Sequence, residues 1–178
     1  MRVPATIFRE YDIRGTTGDQ LTPEVARAVG AAYATLATER LGRPPRVAVG
    51  RDNRPSGPAL ARAVRQGIVD AGGTAVDVGE LPTPALYYAT HTLPVDGGVQ
   101  VTGSHNPPEF NGFKMVLAGQ AVYGDDIQGL YRLIAEDRLA TRAGGEEKTE
   151  TGVLTAYRDA IVQHNTPLAR RVKVVVDC

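Results

Sequence analysis

The chain is poor in cysteine, tryptophan and lysine. Cys178 is its single cysteine, so a disulfide within the chain is impossible, and this fits a reducing cytoplasmic setting. Tryptophan is absent, and aromatic residues make up only 6% of the chain. Lysine supplies three of the 20 basic residues and arginine the rest, so the position of each lysine is informative.

An excess of charge of one sign is also missing, as are long apolar runs. The 20 basic and 20 acidic residues cancel to a formal net charge of zero. Without a global positive field, neither a nucleic acid nor an anionic membrane is predicted as a partner, and any anion site must be local. No stretch reaches the length of a membrane span, and the first residues contain no signal-peptide core. A cytoplasmic location is therefore expected.

Strand-like and helix-like periodicities alternate along the 178 residues. They predict strands over 5–15, 46–50, 74–79, 97–102 and 112–118, and helices from Thr22 to Gly42, from Ser56 to Gly72, after Thr83, and near 124–138 and 152–164. Such alternation predicts an α/β fold, a three-layer α/β/α sandwich with a mixed, mostly parallel sheet. The loop 103–111 is too short for a helical crossover, so the strands on either side of it are predicted to be antiparallel.

The C-terminal third of the chain contains two less regular segments. Residues 139–151 are polar and contain glycine, which predicts a surface connection. Residues 171–178, RVKVVVDC, form a short apolar run typical of a buried strand. A strand of this kind needs neighbours. We therefore expect one domain over residues 1–165, and a linker with the first strand of a truncated second domain over 166–178.

The densest polar cluster directly follows the predicted strand 97–102 and reads TGSHNPPEFNGFK over residues 102–114. Open α/β sheets bind ligands beyond the carboxyl ends of their strands. Gly103 is expected to adopt backbone conformations closed to other residues and so to turn amides toward an anion. Glycine, asparagine, proline and serine are equally typical of a plain hairpin loop, so both interpretations stand on composition. A serine, a histidine and a lysine within eleven residues, Ser104, His105 and Lys114, favour a site.

Two further polar clusters lie near predicted strand ends. In residues 9–15, REYDIRG, an arginine could grip phosphate, and an Arg–Asp pair that holds the N-terminus is an equal alternative. Residues 50–57, GRDNRPSG, join a strand to a helix. A structural role is preferred for this segment, with Asp52 and Ser56 satisfying turn and cap amides and the arginines pairing with Asp52.

Several other kinds of site are disfavoured by motif spacing. Asn106 stands where a nucleophile elbow, G-x-S-x-G, has its second glycine, so a serine hydrolase is not indicated. A Walker A loop is absent. The three histidines, at 91, 105 and 164, show no paired spacing, so metal ligation by histidine is only weakly supported.

The three clusters closely resemble motifs of the α-D-phosphohexomutase family, and above all of its bacterial phosphomannomutase/phosphoglucomutase branch. The matching stretches are FREYDIRG (8–15), VGRDNRPSG (49–57), DVGELPTPALYY (77–88) and VTGSHNPPEFNGFK (101–114). They occur in the family's order over nearly all of residues 7–118, and VKVVVD near the end resembles the opening strand of the family's second domain.

The resemblance implies the N-terminal domain of a four-domain enzyme that interconverts hexose 6-phosphate and hexose 1-phosphate of mannose or glucose. It implies a catalytic set of Ser104, Lys114 and His105, in which Ser104 is a phosphoserine and Lys114 assists proton transfer, while His105 and Asn106 shape the loop. The substrate- and phosphate-binding residues expected from it are Tyr11, Arg14, Asn106 and Asn111. Transfer would pass through a hexose 1,6-bisphosphate, which also serves as the activator.

The same resemblance implies Mg²⁺ bound by the Ser104 phosphate and by aspartates of a D-G-D-G-D motif in the second domain, a motif that this chain lacks. The implied partners are a phosphosugar and domains II–IV of the same protein, so the chain alone is expected to be inactive. Two alternatives remain: a non-catalytic phosphosugar-binding module, and a phosphoglucosamine mutase. Gly103 and Phe113 resemble the phosphomannomutase/phosphoglucomutase type, because phosphoglucosamine mutases usually have alanine before the serine.

Overall fold

The computed structural model describes residues 3–166 and 169–177. A 3-10 turn at Ala5–Ile7 precedes strands and helices that alternate along the chain. The strands are β1 (Ile13–Thr16), β2 (Arg46–Arg51), β3 (Thr74–Glu80), β4 (Gly97–Val101), β5 (Phe110–Leu117), β6 (Gln120–Ala121) and β7 (Glu146–Thr149). The helices are α1 (Pro23–Leu41), α2 (Gly57–Asp70), α3 (Thr83–Thr92), α4 (Asp125–Ala135) and α5 (Val153–His164).

The seven strands form one mixed sheet in the order β1-β5-β4-β2-β3-β7, with β6 paired to β5. The pairs β4-β2, β2-β3 and β3-β7 are parallel. Strand β5 runs antiparallel to β4, β1 and β6, as the short loop between β4 and β5 requires. The predicted α/β class with a mixed sheet is confirmed.

Helices cover both faces of the sheet. On one face, α1, α2 and α4 contribute to the larger apolar core, which includes the fully buried Tyr33, Ile68 and Ile127. On the other face, α3 and the first residue of α5 pack over the centre of the sheet through Leu86 and Val153. The polar segments that follow β2 and β4 lie at the shared carboxyl edge of these parallel strands.

The helix ends agree with sequence rules at α1 and depart from them at α2. Thr22 accepts a hydrogen bond from the Val25 amide at 3.3 Å, and Gly42 ends the helix with φ of 71°. Ser56 precedes α2, but its hydroxyl accepts a hydrogen bond from Asn111 instead of capping the helix. At α3 the cap position belongs to Pro82, one residue before the predicted Thr83.

Two predicted segments are wrong in detail. Residues 5–7 form a 3-10 turn, and the N-terminal strand begins only at Ile13. Residues 146–149, within the predicted surface connection, form β7 at the sheet edge. Every residue of β7 is exposed, so the segment has no apolar alternation from which a strand could be predicted.

Residues 171–177, expected to be the first strand of a second domain, are exposed and form no strand pairing among the described residues, so their role as a strand stays a prediction. Val172, Val174, Val175 and Val176 are 47–88% exposed. An apolar run becomes a strand only when a neighbour satisfies its backbone groups, and sequence pattern does not supply that neighbour. Cys178 and residues 167–168 lie outside the described residues, and the boundary at 165 stays a prediction.

Candidate functional site

Ser104 lies in a loop of two consecutive turns between β4 and β5. The Asn106 amide donates to the Gly103 carbonyl at 3.0 Å, and the Phe110 amide donates to the Pro107 carbonyl at 3.0 Å. Ser104 is exposed and has φ of 56°, in the left-handed region that favours glycine. The unusual conformation expected at Gly103 is therefore found one residue later, at Ser104 itself, and strained backbone of this kind is typical of functional loops.

The first turn is tied to the end of β2 through Asp52. The Thr102 hydroxyl donates to Asp52 Oδ2 at 2.7 Å, and the Gly103 amide donates to the same oxygen at 3.3 Å. The Ser104 amide in turn donates to the Thr102 hydroxyl at 2.9 Å. The Ser104 backbone is thus held by a chain of hydrogen bonds that starts on a neighbouring strand.

Arg54 makes the most extensive contacts with this loop. Its Nε donates to Asp52 Oδ2 at 3.1 Å, and its two terminal nitrogens donate to four loop carbonyls. The Arg–Asp pairing preferred from sequence agrees with this geometry. The contacts to the Ser104 loop were not predicted, because the two segments are about fifty residues apart and their sequence spacing carries no contact information.

A second polar cluster joins β1 to β5. Asp12 is buried, and its Oδ2 accepts from Arg14 Nη2 at 2.5 Å and from Lys114 Nζ at 3.2 Å. The pairing Ile13↔Phe113 places Asp12 and Lys114 opposite each other on these strands. The β1–β5 pairing therefore brings together residues that the sequence motifs had assigned separately to phosphate binding and proton transfer, and it adds Asp12.

Arg14 has unused hydrogen-bonding capacity. Its Nε is buried and finds no acceptor among the described residues, although the same guanidinium bonds Asp12 through Nη2. A buried N–H without a partner is uncommon in folded proteins. An anion bound at this cluster could complete the hydrogen bonding of the arginine.

Tyr11 is 73% exposed and stacks on Tyr123, with ring centroids 6.5 Å apart. The Gly124 amide donates to the Glu10 carbonyl at 2.7 Å and holds the two segments together. Tyr11 thus projects from the segment that carries Asp12 and Arg14, where a ligand can reach it. Tyr123 was not predicted, since a single exposed tyrosine carries no sequence signal.

The remaining predicted residues have separate roles in the loop. The Oγ of Ser104 lies 3.4 Å from Nδ1 of His105, and Asn106 Nδ2 donates to the Gly103 carbonyl at 2.9 Å. Both contacts agree with a loop-shaping role. Asn111 is fully buried, with Nδ2 bonded to Ser56 and Oδ1 to the Gly112 amide. Ligand binding predicted for Asn111 finds no support in this arrangement, which joins β5 to the start of α2.

An open cavity of about 300 Å³ adjoins the Ser104 loop, lined by Asp52, Asn53, Arg54, Pro55, Ser104, Asn106 and Pro108. A larger cavity of about 750 Å³ lies between α1, the end of α2 and residues 139–145. The larger cavity contains none of the predicted site residues, so volume alone does not identify the site. The cavity beside Ser104 has the polar groups that a ligand site requires.

Residues 3–166 and 169–177 contain no group of three or more histidine, cysteine, aspartate or glutamate side chains arranged to hold a metal ion. The donor set for the predicted Mg²⁺ is thus not complete within the described residues. In the same part of the chain, no helix is long and apolar enough to cross a membrane.

The sequence of residues 5–141 matches the family model of phosphoglucomutase/phosphomannomutase, alpha/beta/alpha domain I. A phosphomannomutase/phosphoglucomutase of Pseudomonas aeruginosa is 47% identical over 177 residues, which are 99% of this chain and 37% of that protein. A phosphoglucomutase of Neisseria gonorrhoeae is 40% identical over 171 residues, which are 96% of this chain and 36% of that protein.

Similarity in structure agrees with similarity in sequence. The crystal structure of a phosphoglucomutase/phosphomannomutase family protein from Burkholderia thailandensis superposes with a TM-score of 0.85 at 42% identity. The match covers 92% of this chain and 36% of that protein. The chain therefore spans little more than a third of the length of these relatives, and the resemblance inferred from its four motifs is confirmed.

Proposed function

Because this chain belongs to the phosphoglucomutase/phosphomannomutase family and contains its domain I, we propose that it carries the phosphoryl-accepting serine of a hexose phosphate mutase. Ser104 is that serine. The observation that supports this role is its position in the exposed loop beyond β4, in a left-handed conformation held by Asp52, Thr102 and Arg54. The chain spans about 37% of its relatives, so catalysis is a property of the longer protein.

In the proposed reaction, phosphoserine 104 gives its phosphoryl group to the free hydroxyl of a hexose 6-phosphate or 1-phosphate. The P–Oγ bond breaks, a bond forms from phosphorus to the sugar oxygen, the sugar hydroxyl loses a proton and Ser104 Oγ gains one. The product is a hexose 1,6-bisphosphate. After it reorients, its other phosphate returns to Ser104, which loses its proton to the sugar oxygen that leaves, and an isomerised monophosphate remains.

Lys114 and Arg14 supply positive charge for this transfer. Phosphoryl transfer depends mainly on positioning and on stabilising charge at the phosphoryl oxygens. Asp12 contacts both cations, so it orients them in the absence of substrate. We assign proton transfer to Lys114 and phosphate binding to Arg14, whose Nε has no acceptor among the described residues. His105 and Asn106 shape the loop, and Tyr11 offers an exposed ring to the sugar.

Mg²⁺ belongs to the proposal as an ion bound in part by the Ser104 phosphate. A divalent cation there would offset the dianionic charge of the phosphoserine. The described residues do not provide a complete set of ligands, so domain II would have to supply the carboxylates. The roles derived above for Ser104, Lys114 and Arg14 do not depend on where the ion sits.

Mannose and glucose phosphates are the proposed substrates. The relatives named phosphomannomutase/phosphoglucomutase and phosphoglucomutase support this sugar class. A phosphosugar in the cytoplasm and the domains that follow in the longer protein are the proposed partners. Glucose or mannose 1,6-bisphosphate is the proposed activator, because it can phosphorylate a serine that has lost its phosphate.

Phosphate mapping in the full-length protein tests the role of Ser104. The 178 residues contain only two serines, Ser56 and Ser104, so intact mass and peptide mapping distinguish the two positions cleanly. We expect phosphate on Ser104, its loss in Ser104→Ala, and at least a 10⁴-fold lower rate of glucose 1-phosphate isomerisation in that variant, about 5.5 kcal/mol of barrier. Ser56→Ala is the matched control, and this variant should keep the phosphate on Ser104. Normal turnover in Ser104→Ala would refute the proposal.

A further inference from the structure

Arg54 is saturated with hydrogen bonds. A guanidinium group has five N–H donors and no acceptor. The Nε of Arg54 bonds Asp52, Nη1 bonds the Pro107 and Phe110 carbonyls at 2.6 and 2.9 Å, and Nη2 bonds the Ser104 and Asn106 carbonyls at 3.0 and 2.6 Å. All five donors are therefore used within the chain. Although Arg54 lines the cavity beside Ser104, it has no donor left for a phosphate.

The four carbonyls belong to both turns of the loop. Ser104 and Asn106 are in the first turn, and Pro107 and Phe110 bound the second. A planar fork with rigid geometry fixes the angle between its partners better than a flexible ammonium does. Arg54 thus holds the two turns at one relative orientation, and Asp52 connects this clamp to β2.

Gly103 leaves the space that the clamp occupies. A Cβ built on Gly103 would lie 2.5 Å from Nε and 2.7 Å from Nη1 of Arg54. Both distances are shorter than those that real Cβ atoms make to non-bonded heavy atoms. Only 11% of the Arg54 side chain is exposed, so it has little room to move aside. The two residues form one device, in which glycine permits the guanidinium to lie against the backbone that leads to Ser104.

We propose that Arg54 is a positioning residue that sets the left-handed conformation of Ser104 and thereby aims its Oγ for phosphoryl transfer. This inference rests on the proposed role of Ser104. Arg54 acts through the loop backbone and does not contact the sugar. Its loss therefore lowers kcat and the rate at which the bisphosphate phosphorylates Ser104, while the KM for the hexose phosphate stays nearly constant.

The test uses Arg54→Lys and Gly103→Ala in the full-length protein. Lysine keeps the charge but has three donors for five acceptors. Gly103→Ala leaves residue 54 an arginine, but the added Cβ forces its guanidinium away from residue 103. In each variant we expect kcat to fall about tenfold to 100-fold with KM within about threefold, as for a small misplacement of a reacting group. Amide hydrogen exchange over residues 104–112 should become faster.

Arg43→Lys is the matched control. Arg43 also forms a bidentate ion pair, with Asp96 at 2.6 and 2.9 Å, but it lies near the opposite ends of β2 and β4. Its substitution should leave kcat and exchange over 104–112 unchanged. If Arg54→Lys does not fold, Gly103→Ala carries the test with the same two measurements.

Two results would overturn the inference: an unchanged kcat, with or without a raised KM, or a lowered kcat without faster exchange in the loop. A raised KM would mean that Arg54 binds substrate directly. If the wild-type protein has no mutase activity or carries no phosphate on Ser104, the proposed function fails. The exchange measurement then still decides whether Arg54 clamps the loop, so the two failures can be distinguished.

Discussion

At the scale of single residues, the site depends on a few side chains held by the backbone of their neighbours. Ser104 has φ of 56°, and hydrogen bonds that involve Arg54, Thr102 and Asp52 hold the turn around it. Lys114 and Arg14 share the buried carboxylate of Asp12. A lysine held by one oxygen of a shared carboxylate can shift toward a phosphoryl group without leaving Asp12 uncompensated, because Arg14 keeps its own bond to that oxygen.

Lys114→Met separates a chemical role from a structural one. We expect turnover to fall by about 10²-fold or more, since a positioned proton donor or acceptor contributes at least that much. The melting temperature should change by only a few degrees, because the Lys114 side chain is 27% exposed and Asp12 keeps its bond to Arg14. The matched control is Lys148→Met, on the exposed edge strand β7, paired with Glu146. Near-normal turnover in Lys114→Met would remove Lys114 from the mechanism.

At the scale of elements, one aspartate, Asp96, joins the N-terminal ends of the central strands β2 and β4. Asp96 precedes β4, and its Oδ2 accepts from the Arg46 amide at the start of β2 at 2.8 Å. Arg43 pairs with both carboxylate oxygens. These contacts, the hydrogen bond from Arg43 first, hold the pKa of Asp96 below its ordinary value of 3.8 despite the opposing effect of burial.

The lowered pKa of Asp96 predicts how stability changes with pH. A carboxyl group whose pKa is lower in the folded protein stabilises it above the unfolded pKa, and this contribution is lost as pH falls through the folded pKa. Asp96→Asn should therefore reduce the free energy of unfolding near neutral pH by about 1.5–3 kcal/mol, the range for hydrogen bonds to a charged group. The difference from wild type should shrink below about pH 4.

Thermal melts at pH 7 and pH 3 measure this effect. The control is Glu136→Gln, which breaks an exposed pair with Arg138, side chains 54% and 59% exposed, and should change little at either pH. If Asp96→Asn were equally destabilised at both pH values, the ionised carboxylate would not be the stabilising group.

At the scale of the whole molecule, the chain has a complete core and an uncovered C-terminal surface. Both faces of the seven-stranded sheet carry apolar clusters beneath helices. In contrast, three apolar side chains of α5 are 44–66% exposed: Leu154, Ile161 and Val162. Four valines over 172–176 are 47–88% exposed. The complete core favours independent folding. The exposed apolar side chains indicate a surface that packs against further protein.

We expect the 178-residue chain by itself to fold cooperatively and to lack mutase activity. A sheet with helices on both faces provides an independent core, whereas the described residues hold no complete metal site and the relatives are nearly three times as long. Circular dichroism should show a single cooperative melt. A coupled assay with glucose 1-phosphate, Mg²⁺ and glucose 1,6-bisphosphate should show no turnover above background. A flat melt would mean that folding needs further domains, and measurable isomerisation would mean that domain I suffices for catalysis.

What the sequence by itself determined is local. Apolar periodicity placed β2, β3, β4 and β5, because a buried strand needs a compact apolar run, and proline and glycine marked both ends of α1. The short loop between β4 and β5 required their antiparallel pairing. The motif at 101–114 was specific enough to indicate the family and to single out Ser104 and Lys114.

Only the tertiary structure decided which distant groups meet. Arg54 reaches the Ser104 loop because β2 and β4 are neighbours, and Asp12 reaches Lys114 because β1 pairs with β5. The tertiary structure also places Asn111 in the interior and makes the polar segment 146–149 an edge strand. The valine run at 171–177 has no strand partner in the described part of the chain. The physical reason is common to all these cases: the partners are set by strand order and backbone pairing, which depend on segments far apart in sequence.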